Sequence, residues 1–143
     1  MNEFVKKITK KVLDVCPDIN IKKDDYYEFI IEPKNDNGFG IYLQIDEREN
    51  TIHFDSFHFH FDNNDKGNKE LMSFIGYALS NRSRLKVYSK GHKEFKWKFE
   101  VQDVGDKNWI SYGSMAILYF NPFKKTKVSY RHNEWLDMDE LNP

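Results

Sequence analysis

Cysteine is almost absent from this chain. Cys16 stands alone, which excludes an internal disulfide and points to a reducing compartment. Arginine is nearly as scarce: only Arg48, Arg82, Arg84 and Arg131 carry the forked guanidinium suited to phosphates, and the remaining positive charge is lysine. No stretch approaches the roughly 18 apolar residues that a membrane span requires. The opening residues, Met1-Asn2-Glu3-Phe4-Val5-Lys6-Lys7, also lack the apolar centre of a secretory signal. A soluble cytoplasmic protein with no membrane partner is therefore expected. Neither sign of charge prevails. Lys and Arg total 22 against 23 Asp and Glu, a net charge of −1, so nothing sequence-wide supports direct nucleic-acid binding.

Aromatic rings are what the chain has in quantity: 12 Phe, 8 Tyr and 3 Trp make up 16% of the residues. Large rings bury much area per residue, so a substantial core is attainable although only 39% of the chain is hydrophobic. A length of 143 residues fits one domain, with residues 134–143 an acidic tail (Glu134, Asp137, Asp139, Glu140) expected to fray.

The periodicity predicts an α+β domain in the order α-βββ-α-ββββ, with both helices on one face of a largely antiparallel sheet. Phe4, Ile8, Val12 and Val15 recur at helical spacing over residues 3–15, with Asn2 as cap and Pro17 as terminator. Lys6, Lys7, Lys10 and Lys11 read as the solvated side of that helix. Strands are expected over 26–32 and 39–46, joined by the turn-rich Pro33–Gly38 segment. In the second of these, Ile41, Leu43 and Ile45 point inward, and Tyr42 and Gln44 outward. Leu71, Phe74 or Ile75, Ala78 and Leu79 mark a second helix. Beyond Leu85 the strand period returns, with Phe95, Trp97, Phe99 and Val101 alternating against Glu94, Lys96, Lys98 and Glu100. Residues 109–120 and 126–130 follow as strands, with Gly113 a bulge. The expected core comprises Phe54, Phe59, Phe61, Leu71, Ile75, Leu79, Phe95, Trp97 and Phe99.

The segment 51–62, Thr-Ile-His-Phe-Asp-Ser-Phe-His-Phe-His-Phe-Asp, concentrates three of the five histidines. Ile52 and Phe54 are apolar at even positions, but Phe57, Phe59 and Phe61 at odd ones. A bulge or a break near Asp55-Ser56 would restore a common phase. All five apolar residues would then face the core, and His53, Asp55, His58 and His60 would form one polar stripe outside.

Two imidazoles at i and i+2 on a strand point the same way and can share one metal ion. His53, His58 and His60 are thus the candidate ligands, with Asp55 or Asp62 in support. The string His58-x-His60-x-Asp62 superficially resembles the metallo-β-lactamase motif, but Asn63 stands where that motif has another histidine. A plain polar strand face or a partner surface is the competing reading, and the one favoured. Nucleophilic chemistry has less behind it, because Ser56 lacks the glycine-flanked elbow and Cys16 reads as a buried thiol. Gly38-Phe39-Gly40 lacks the third glycine and following helix of a dinucleotide loop.

The run Ile52-His53-Phe54-Asp55, then His58-Phe59-His60-Phe61-Asp62, is followed by an amphipathic helix and an aromatic-rich antiparallel half. In this it resembles a class of small bacterial immunity proteins that accompany polymorphic or contact-dependent toxins. Trp109 and Gly113 would match the Trp-Gly strand of such families. The resemblance implies neutralisation of a cognate toxin domain by direct protein contact, without catalysis or cofactor. Tyr42, His53, Asp55, His58, His60 and Asp62 would then be the partner-binding residues. A small metal-dependent enzyme using His53, His58 and His60 is the alternative, and a small-ligand or structural module the third reading.

Overall fold

Asn2 opens the first helix as expected. Its side-chain oxygen accepts from the N–H groups of Phe4 (2.8 Å) and Val5 (3.3 Å), two donors that a helix start leaves without partners. This helix, α1, spans Glu3–Val15 and buries Val5, Ile8 and Val12, with its lysines in solvent. Val15, expected inward, is 47% exposed. The protein is described here from a computed structural model covering residues 2–103, 105 and 107–138.

Four consecutive strands follow: β1 (Phe29–Ile31), β2 (Ile41–Ile45), β3 (Glu49–Phe54) and β4 (Phe57–Asp62), an antiparallel sheet in that spatial order. β1 starts later than its aromatic content suggested, because the Asp24 carboxylate accepts from the N–H groups of Tyr26 and Tyr27 and holds them in a turn. Helix α2 (Asp65–Leu79) is capped by Asn64, which accepts from Gly67 N at 2.8 Å. A second antiparallel sheet then forms from β5 (Ser83–Lys90), β6 (Lys93–Val101), β7 (Ile110–Ala116) and β8 (Thr126–Arg131), in the order β7-β6-β5-β8. The class is α+β with antiparallel pairing and the expected order of elements, the eight strands being divided between two sheets.

The phase switch at Asp55-Ser56 is a break and not a bulge. Phe54 pairs with Phe57, so the run of residues 51–62 folds back on itself through a two-residue turn. Asp55 occupies the left-handed region there, at φ 54°. Two-residue hairpin turns place their first central residue at positive φ, a conformation aspartate tolerates better than most side chains.

The inner faces of both sheets meet around a cluster of rings. Phe54 packs on Phe99 at 4.8 Å between centroids, and Phe59 on Phe74 at 4.7 Å. Phe54, Leu71, Ile75, Leu79, Trp97 and Phe99 are buried as expected, while Phe59 and Phe61 lie half-buried against the same cluster. Phe95 stands outside it, with Lys90 over its ring at 5.7 Å and Tyr119 at 6.4 Å, because the register slips there: Tyr88 pairs with Lys96 but Ser89 with Glu94, leaving Phe95 as an extra residue that breaks the alternation. Gly113 admits the close approach of Phe59: a Cβ there would lie 2.5 Å from Phe59 Cζ. The expected irregularity lies beside it. Phe99 pairs with Gly113 but Glu100 with Ser111, leaving Tyr112 as the extra residue.

The C-terminal segment docks as far as it is described. Asn133, 2% exposed, accepts from Phe39 N at 2.9 Å and donates to the Ala78 carbonyl at 3.1 Å. Leu136 N donates to the Leu79 carbonyl, the Leu136 carbonyl accepts from Asn81 N, and the Trp135 carbonyl faces Cys16 Sγ at 3.8 Å. Residues 135–138 of the segment expected to fray are thus held by backbone and side-chain bonds, and 139–143 lie outside the described residues.

Candidate functional site

Alternation along β2, β3 and β4 places every second side chain on the outer face of the first sheet. His53 pairs with His58 and with Tyr42, and Thr51 with His60 and with Gln44. These six side chains therefore share one face, and Tyr27 joins them from the segment before β1. Tyr27 lies 5.2 Å from the Tyr42 ring and 5.6 Å from His53. The His53 and His58 rings are 5.4 Å apart, and those of His58 and His60 5.2 Å. The expected histidine stripe is thus a compact patch two strands wide.

Two of its three imidazoles already have partners. His53 Nε2 meets Gln44 Oε1 at 3.2 Å. His60 Nδ1 lies 2.9 Å from Thr51 Oγ1 and 3.3 Å from Glu49 Oε1. Burial holds the His53 imidazole below its ordinary pKa, reinforced by repulsion from His58 and His60. Tyr42 is pushed the other way, chiefly by burial and next by the Asp55 carboxylate. Among the described residues, no group of three or more His, Cys, Asp or Glu side chains is arranged to hold a metal ion. The rings stand side by side across strands, and His53 and His60 turn ring nitrogens to neighbouring side chains.

Asp55 does not belong to the stripe. It lies in the hairpin turn, where its carboxylate accepts from Gly40 N at 2.8 Å and from Arg131 Nη1 at 2.6 Å. Arg131 reaches it from β8 and also binds Glu94 at 2.9 Å. Burial works against the charged guanidinium, but Glu94 and Asp55 together outweigh it and raise its pKa. The role of Asp55 is therefore to fasten the hairpin of one sheet to the edge strand of the other. Asp62 is on the outer side, exposed at the end of β4 opposite Glu49. His60 and Asp62 border a hollow of about 240 Å³ beside the start of α2, with Asn64, Lys66 and Glu70.

Tyr27 and Thr51 complete the face and were not singled out from the sequence; Glu49 joins them at its rim. Tyr27 lies outside any strand, so alternation could not phase it. Gln44 was legible as outward but had no assigned role. Trp109, matched above to a family tryptophan, lies just before β7 with the Arg84 guanidinium 4.1 Å from its ring. Comparison of the chain with protein-family models, with curated proteins and with solved structures finds no match in any of the three.

Proposed function

We propose that the chain acts by binding a protein, as an immunity protein that neutralises a cognate toxin domain by contact. The observation that carries this reading is the outer face of the first sheet, where Tyr27, Tyr42, His53, His58 and His60 form one contiguous polar and aromatic patch. Rings fixed by their neighbours lose little freedom on binding, and Tyr in particular offers apolar area with a polar tip. Exposed charges at the rim, Asp62 and Glu49, can set register.

Co-expression with the toxin domain of the adjacent reading frame is the test. The chain should restore growth and form a one-to-one complex. Asp62→Lys should weaken that complex more than Lys10→Glu on the far side of α1. A folded protein that neither binds nor rescues would refute the reading.

A further inference from the structure

The net charge of −1 conceals a separation of charge along the chain. Between Ser83 and Arg131 there are eleven Lys and Arg but only four Asp and Glu, whereas the rest holds eleven basic and nineteen acidic residues. Of those four acids, Glu100 is bound to Arg84 at 2.8 Å and Glu94 to Arg131 at 2.9 Å. The second sheet therefore presents almost uncompensated positive charge.

Register shows where that charge lies. Lys86 pairs with Lys98 and Tyr130, Tyr88 with Lys96 and Val128, and Arg84 with Glu100. All of these project from the side opposite Leu85, Val87, Trp97 and Phe99, which are buried. Cations are laid onto rings across this face: Arg84 between Trp109 (4.1 Å) and Tyr130 (4.2 Å), and Lys86 and Lys96 both over Tyr88 at 5.3 and 5.2 Å.

At one end of the face, residues 117–125 cross the β5–β6 hairpin to join β7 to β8, the two outer strands. Lys90 Nζ reaches the Asn121 carbonyl at 3.5 Å, and the Asn121 side chain donates to Tyr119 OH at 3.3 Å. With Tyr119 and Asn121 turned in, Leu118, Phe120 and Phe123 are turned out, at 102%, 84% and 93% exposure. Lys124, Lys125 and Lys127 follow directly, and Lys93 lies 6.0 Å from the Tyr119 ring. A folded chain seldom leaves three large apolar side chains projecting together unless they have a partner to enter.

We infer that this basic sheet face and its apolar crest form a docking surface for a protein that presents an acidic surface with an apolar cleft. The inference rests on the immunity reading above and gives the same toxin domain a second area of contact, on the other sheet and apart from the histidine patch, with a chemistry of its own. Size suits a protein partner. A face four strands wide and six residues long covers roughly 400 Å² at ordinary strand spacings, and three projecting side chains bring the patch near the roughly 800 Å² each partner contributes to a standard interface. A nucleic acid fits less well, because Arg84 and Arg131 are bound to carboxylates and the rings of Tyr88, Trp109 and Tyr130 already carry cations. A membrane surface would engage the crest but has no use for lysines spread along a flat sheet.

The experiment measures binding of the full chain to the neighbouring toxin domain. Three proteins are compared: the native chain, a crest variant (Leu118→Ser, Phe120→Ser, Phe123→Ser) and a face variant (Lys86→Glu, Lys96→Glu, Lys98→Glu). Thermal midpoints confirm that each is folded. At least a tenfold loss of affinity in both variants is expected, together with an association rate that falls steeply with salt for the native chain and the crest variant but not for the face variant. Full affinity in both variants would overturn the inference and leave the immunity reading standing. No binding by the native chain would overturn both. Crest-dependent sedimentation with phosphatidylserine–phosphatidylcholine vesicles, or face-dependent binding of an oligothymidylate, would instead assign the surface to a membrane or a nucleic acid.

Discussion

Two glycines in one helix should respond oppositely to the same substitution. Gly67 lies buried in the first turn of α2, and a Cβ there would overlap the Asp62 carbonyl oxygen, standing 2.8 Å from Asp62 C and 3.0 Å from its N. The obstacle is backbone, so no rotamer change relieves it, and the chain would have to open by on the order of 1 Å. That turn holds the Asn64 cap on Gly67 N and the bond from Asn64 N to the Asp62 carbonyl. Losing the cap costs about 1 kcal/mol, losing the turn bond about 1 kcal/mol, and overpacking about 1–3 kcal/mol. A gain of about 1 kcal/mol in helix propensity opposes them, so Gly67→Ala should cost about 2–4 kcal/mol. At Gly76 a Cβ meets nothing within 4 Å, so only the propensity term remains and Gly76→Ala should stabilise by up to about 1 kcal/mol. A chain of this size has an unfolding entropy of about 0.3 kcal/mol/K, so Tm should fall by about 7–13 °C for the first and rise by about 3 °C for the second. Urea denaturation followed by circular dichroism measures both. Shifts of the same sign, or a loss under about 0.5 kcal/mol for Gly67→Ala, would refute the reasoning.

Gly113→Ala should cost about 1–2 kcal/mol in the same assay, because the clash with Phe59 exceeds the entropy an alanine saves. Adding Phe59→Leu should recover part of that loss, and strict additivity would show that the two positions do not touch. For His53, a pKa held below 6.5 by burial and by His58 and His60 means that the unfolded chain binds more protons as the pH falls below about 6.5. Its contribution to stability is complete above that pH and is lost on acidification. His53→Gln should flatten the decline between pH 7 and 5, and a His53 midpoint above 6.5 by NMR titration would contradict the assigned environment.

What could be read from the sequence was whatever local chemistry decides. The α1 cap, its termination at Pro17, and the inward and outward phases of β2 and of β6 from Lys96 onward follow from neighbours a few residues apart, while the slip of register at Phe95 does not. The histidine segment shows where such reading stops. Its change of phase was visible, but Asp-Ser is not among the strongest turn pairs, and whether it marked a bulge or a hairpin depended on pairing. Asp55 read as one more polar group of the stripe because its partner, Arg131, is 76 residues away. The division into two sheets is likewise a matter of distant pairing: the chain leaving β7 passes β6 and β5 before β8 joins the far edge beside β5. Composition misled in its own way, since a whole-chain charge near zero averaged a basic sheet with acidic remainder.

The Asn133 clamp bears on the order in which the chain is made. Until residue 133 has left the ribosome, the Phe39 N–H and the Ala78 carbonyl lack the amide that satisfies them. Until Leu136 follows, the end of α2 lacks a strand-like partner at Leu79 and Asn81. Both sheets also share the one aromatic cluster, with Phe39 and Phe54 in the first half touching Phe99 in the second. The nascent first half can form α1 and the β1–β4 meander but cannot bury its rings. Closure of the core therefore waits for residues 133–136, and a ribosome stalled before residue 133 would hold a chain with open aromatic surface.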